Sequence, residues 1–149
     1  MFDEGSTRPF PDVSQICLTT PSMSAQSNEI VVALARNFMA LLQTCMPGWN
    51  RAFFRFDADD LKYGSIASYE RDGKVDLIDP FETSDFYSTM NEMAGDLREA
   101  MSRSEPRFCV LLLTVDSSFD YEIGFENADP SRWRITKMDG GSGIPVGLT

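Results

Sequence analysis

With 149 residues, 23 Asp and Glu against 13 Lys and Arg, and no histidine, the chain carries a formal net charge of -10, which disfavours nucleic acid as a partner because a phosphate backbone would repel it. The missing histidine removes the side chain best suited to proton transfer near neutral pH and the commonest metal ligand, so most hydrolase triads and most zinc or iron sites are excluded. The length suits one domain with a single core, and 11 Phe, 2 Trp and 4 Tyr within a 42% hydrophobic composition supply bulky material for it.

Residues 1–26 mix Pro, Ser and Thr and read as an N-terminal extension, with Ile16-Cys17-Leu18 as the cluster able to form an edge strand or dock on the domain. No basic region followed by an apolar stretch opens the chain, and no apolar run approaches the ~20 residues of a membrane span, so a cytoplasmic protein without membrane contact is expected. Ser27 or Asn28 then serves as an N-cap, and Ile30, Leu34, Phe38, Leu41, Leu42 and Cys45 recur at helical spacing until Pro47-Gly48 stops the run. Trp49 to Phe56 alternates as a strand, with Arg51, Phe53 and Arg55 on one side and Ala52, Phe54 and Phe56 on the other.

After an acidic loop at Asp57-Ala58-Asp59-Asp60, Lys62 to Arg71 and Lys74 to Ile78 read as two strands joined by the Asp72-Gly73 hairpin signal. Ser84 caps a second helix whose apolar stripe runs through Phe86, Met90, Met93, Ala94, Leu97, Ala100 and Met101. Phe108 to Val115 is continuous enough for a central strand, and Asp120 to Glu126 alternates strictly as its hairpin partner. Trp133-Arg134-Ile135 forms a strand or helical turn, and the glycine-rich 139–149 reads as a flexible tail. The expected fold is a single α+β domain over 27–138, an antiparallel sheet of four to five strands with two main helices packed on one face and the other face partly open. Phe38, Leu42, Phe54, Leu97, Leu112, Ile123 and Phe125 are its expected core.

Cys17, Cys45 and Cys109 are odd in number and lack a CxxC pair, which fits a reducing compartment, and Cys45 and Cys109 are expected as small buried hydrophobes. Asp57, Asp59 and Asp60 resemble half of a calcium loop, but Leu61 and Lys62 stand where the next ligand and the glycine belong, so the tract reads as a solvated turn or part of a binding surface and no metal is expected. A cysteine nucleophile lacks its base, and no helix follows Gly140-Gly141-Ser142-Gly143 to hold a phosphate. No catalytic residue and no cofactor is expected. Along the last strand Asp120, Glu122 and Glu126 share one face while Tyr121, Ile123 and Phe125 share the other, which suits either an ordinary amphipathic strand or an anionic docking stripe. The charge is lopsided: residues 1–56 hold four acids and four bases, residues 57–149 nineteen and nine. Such a field speeds association with a basic partner in a salt-sensitive way.

The helix closing on Met46-Pro47-Gly48-Trp49, the aromatic strand after it, Tyr63-Gly64-Ser65, the Tyr69-Glu70-Arg71-Asp72-Gly73-Lys74 hairpin, FCVLLLTV, DYEIGFENADP and Trp133 resemble the YezG-like family of bacterial immunity proteins over residues 28–138. The resemblance implies a protein that binds and blocks a cognate secreted toxin, often a nuclease, inside the producing cell, as a monomer or homodimer when free. On that reading Glu70, Asp72, Asp116, Asp120, Glu122 and Glu126 form the toxin-facing surface, with Tyr69 or Trp133 as an aromatic anchor. A secretion chaperone holding an effector, and a small enzyme acting through carboxylates alone, are the alternatives. A one-residue slip of strand register would invert the surface assignment.

Overall fold

The computed structural model describes residues 24–102 and 107–148, so Ile16-Cys17-Leu18 and nearly all of the expected extension lie outside the described residues. Helix α1, Ala25–Cys45, buries Val31, Leu34, Ala35, Phe38, Met39 and Leu42, the three- and four-residue spacing of one helical stripe. It begins earlier than expected. Ser24 is its N-cap, and its Oγ accepts the Ser27 N–H at 3.1 Å, while Ser27 itself is buried inside the first turn. At the other end the Met46 N–H returns to Leu42 O, and Gly48 at φ 85 turns the chain toward Trp49.

Five strands follow: β1 (Arg51–Ala58), β2 (Tyr63–Arg71), β3 (Lys74–Leu77), then β4 (Val110–Asp116) and β5 (Tyr121–Glu126) after helix α2 (Ser84–Met101). They form one sheet in the order β3-β2-β1-β4-β5 with every neighbouring pair antiparallel. The Asp72-Gly73 pair has φ of 54° and 78°, the left-handed geometry that a two-residue hairpin needs. Asp57 and Ala58 extend β1 beyond the expected loop boundary, because Asp57 pairs with Gly64 on one side and Val110 on the other. Thr83, not Ser84, is the N-cap of α2.

Both helices cover one sheet face. Ala52, Phe54 and Phe56 of β1 point into a core with Leu111, Leu113 and Val115 of β4, Ile123 of β5 and the helical stripes. Phe54 stands edge-on to Phe38 and Phe86, each 6.3 Å away between centroids. Tyr87 of α2 closes the β2–β3 ladder: its hydroxyl accepts the Ala67 N–H at 2.9 Å and donates to Ile78 O at 2.7 Å. Burial pushes that phenol up to about 12, so it stays protonated and able to donate. Tyr87→Phe should leave both backbone groups buried without a partner and cost about 1–3 kcal/mol. A urea midpoint unchanged from the parent would show that water or a backbone shift replaces the hydroxyl.

The second face carries a segment that periodicity did not place. Residues 127–148 fold back as a strap over part of that face, and the glycine-rich stretch meets the sheet through Gly143 and Ile144. Ile135 of the strap is buried against Phe53 and Leu112, with Ile66, Trp133 and Ile144 around them. Ser68 Oγ donates to Gly143 O at 2.7 Å and Lys137 Nζ to Val75 O at 2.8 Å. Arg55, 6% exposed, clamps the base of the strap by donating to Arg132 O at 2.9 Å and Pro130 O at 2.7 Å. A Cβ on Gly124 would lie 3.1 Å from Trp133 Cη2, so the indole settles where β5 has no side chain. Cys45 also differs: although its spacing from Phe38 and Leu42 keeps it in line with the buried stripe, it is exposed on the last turn of α1, and Cys109 is half-buried. No helix among the described residues is long and apolar enough to cross a membrane.

Candidate functional site

Strand register gathers five of the expected surface residues at one end of the sheet. Arg51 of β1 lies between Glu70 of β2 and Asp116 of β4, all three on the strap-bearing face by the alternation that buries Ala52 and Val115 beneath the helices. Glu122 sits one row inward on the same face, opposite Thr114. Asp72 and Asp120 occupy the two hairpin turns at this end. Arg51 Nε donates to Glu70 Oε1 at 2.7 Å, an ion pair about a quarter to a third exposed that holds the middle of the group in place.

Asn50 ties the two hairpins together. Its N–H donates to Glu70 O at 2.7 Å, its carbonyl accepts the Ser117 N–H at 2.8 Å, and its Oδ1 accepts the Asp72 N–H at 3.3 Å. Asp116 Oδ1 shapes the β4–β5 turn by accepting from the Ser118 N–H and the Asp120 N–H. Phe119 takes φ 71 in that turn, a conformation usually left to glycine, and packs its ring on the main core in exchange. Asp72, Asp120 and Glu122 are exposed. The end therefore presents five carboxylates, with Arg51 among them and Lys137 reaching the β3 side through Val75. Arg71 and Lys74 flank Asp72 in the β2–β3 hairpin, so the carboxylates suited to cationic groups on another molecule are chiefly those of the β4–β5 side, Asp116, Asp120 and Glu122.

The other three expected residues go elsewhere. Tyr69 faces the helices, half-buried on the main core, with the Arg71 guanidinium 5.6 Å from its ring centroid. Trp133 lies against the sheet at φ 61 with Arg132 stacked 4.4 Å over it. Glu126 is at the far end of β5 and serves the strap: it meets Arg132 at 2.6 Å and accepts the Ala128 and Asp129 N–H groups. The Arg132 bond first, then those two N–H groups, hold its carboxyl below the usual 4.5. Because the folded value is depressed, this support is present above 4.5 and fades only as pH falls through the lower folded value.

At that far end a cleft of about 470 Å3 opens between the β1–β2 loop and the strap, lined by Arg55, Asp57, Asp59, Lys62, Cys109, Asn127 and Arg134 among others. The acidic loop does not converge as a cation site would. Asp57 pairs with Arg55 at 2.6 Å, Asp59 Oδ1 accepts the N–H groups of Leu61 and Lys62, and Asp60 faces Arg107 at 3.4 Å. Those two backbone bonds hold the Asp59 carboxyl below its usual range. Burial, reinforced by Glu126, pushes the Cys109 thiol up, which keeps it protonated and a poor nucleophile near neutral pH.

Asn50, Arg51 and Arg55 organise the outer face, and sequence reasoning had assigned none of them a role. Two arginines at alternate positions of an aromatic strand were the available signal, since a cation on the non-core face of a central strand must find acceptors there. Compared with known proteins, the chain matches no family model and no curated sequence.

Proposed function

We propose that the protein is a non-catalytic immunity protein that captures a basic partner, a cognate secreted toxin such as a nuclease, in the cytoplasm and without a cofactor. The observation that carries this reading is the register that brings Glu70, Asp72, Asp116, Asp120 and Glu122 to one sheet end around Arg51. Scattered acids would only keep the protein soluble, whereas carboxylates set on two hairpins pinned by Asn50 keep fixed spacing and offer a cationic surface a pre-organised match. The lopsided charge of residues 57–149 supports the same partner chemistry. Glu126 and Trp133 leave the proposed contact surface because the strap engages both.

The test is growth rescue followed by association kinetics. Co-expression with a basic toxin encoded beside it should restore growth, and the purified pair should associate with a salt-sensitive on-rate. The variant Asp120→Lys with Glu122→Lys should lower that on-rate about tenfold or more at low salt and much less at high salt, with little change in stability. An unchanged on-rate at low salt would remove this surface from the interface. A stable homodimer that protects no cell yet holds several secreted effectors would instead favour the chaperone reading.

A further inference from the structure

We propose that the cleft between the strap and the β1–β2 loop binds a small phosphate-bearing molecule through Lys62 and Arg134, and that occupancy holds the strap on the sheet. The inference is independent of the proposed toxin contact, which lies at the opposite end of the sheet. The cleft, about 470 Å3, has the size of a small-molecule site. Its walls belong to two bodies: Arg55, Asp57, Ala58, Asp59, Lys62 and Cys109 come from the sheet and its loop, and Asn127, Ala128, Pro130 and Arg134 from the strap.

The charges within it are unequally engaged. Asp57 is taken by Arg55, Asp59 by two backbone N–H groups, and Arg55 by Asp57 and two strap carbonyls. No ion pair involving Lys62 or Arg134 occurs among the described residues. Lys62 and Arg134 line the cleft from opposite walls, and the carboxylates that line it with them are already engaged, Asp57 by Arg55 and Asp59 by backbone N–H groups, with Lys62 close enough to Asp59 to help hold its carboxyl low. A planar guanidinium and a point-like ammonium suit the oxygens of a phosphate, and Ala58, Ala128 and Pro130 leave an apolar wall for an organic group. The net negative field opposes any anion, but at physiological ionic strength distant acids are screened over about 8 Å, and the acids of the cleft itself are held by Arg55 and by the Leu61 and Lys62 N–H groups.

The strap makes the site a coupled one. It contributes no residue to the main core and is held by the Arg55 clamp, by Ser68 and Lys137, and by a small apolar cluster. A ligand bridging Lys62 and Arg134 binds only the closed arrangement and therefore stabilises it. The full chain would be titrated with inorganic phosphate, a sugar phosphate and a nucleoside monophosphate, each up to about 10 mM, against sodium chloride at matched ionic strength. The readouts are thermal unfolding and hydrogen exchange over residues 130–146. A saturable rise in Tm with slowed exchange in that segment is expected, and both should vanish in Lys62→Gln and Arg134→Gln, whose unliganded Tm should match the parent. Equal response to inorganic and organic phosphates would make free phosphate the ligand, and a stronger response to one organic phosphate would make that class the ligand. No response to any of the three, the same response to chloride, or a response retained in both variants would overturn the proposal.

Discussion

Replacing Phe54 with alanine should lower the stability of the protein by about 3–5 kcal/mol, the range for removing a large ring from a close-packed core. Phe54 has no exposed surface and stands at the centre of the sheet, between Ala67 of β2 and Leu113 of β4, where α1 and α2 meet it through Phe38 and Phe86. Those two rings already stack on each other at 5.6 Å, so they cannot both move into the vacated volume. Small domains hold only about 5–15 kcal/mol in total, and the loss should appear as a single cooperative shift of the urea midpoint with an unchanged slope. A loss below about 1 kcal/mol would mean that the helices collapse onto the gap, and that the aromatic cluster is less fixed than its geometry implies.

Arg55→Leu should cost about 3 kcal/mol, the scale for breaking a buried charged hydrogen-bond group by removing one partner. Its effect should be local. The side chain of Arg55 is 7% exposed and that of Asp57 is 43% exposed, so Asp57 can recover water once the guanidinium is gone. Arg132 O and Pro130 O cannot do so while the strap lies flat, because they face the position that leucine would fill. Hydrogen exchange over 130–146 should therefore accelerate far more than exchange in β1 or β4. Uniform acceleration through the sheet would instead assign Arg55 to the stability of the sheet itself. Phe54 and Arg55, adjacent in sequence, thus test the two faces separately: one holds the helices on, the other the strap.

Most of the core was legible because periodicity records burial. The α1 stripe, the alternation of Ala52, Phe54 and Phe56, and the Asp72-Gly73 hairpin follow from rules local to a few residues. Leu112, expected in the core, is buried on the strap side, since β4 is apolar on both faces and a continuous apolar run carries no sign of which face is which. The acidic end was half legible. Parity placed Glu122 on the polar side of β5, but only the antiparallel register could put Glu70, Arg51 and Asp116 in one row. The intrachain contacts of Trp133 and Glu126 were not legible, because an aromatic and a terminal carboxylate can equally serve a segment from the same chain.

The sequence by itself determined the class of this protein: an acidic, histidine-free α+β domain whose two helices and hairpins are written in spacing and turn chemistry. The tertiary structure alone decided what the C-terminal 127–148 does. That segment has no period, so nothing local says that Ile135 is buried or that Gly143 meets Ser68. Its position is set by acceptors for Arg55 and by the bare surface over Gly124, partners distant in sequence that become neighbours only once the sheet exists.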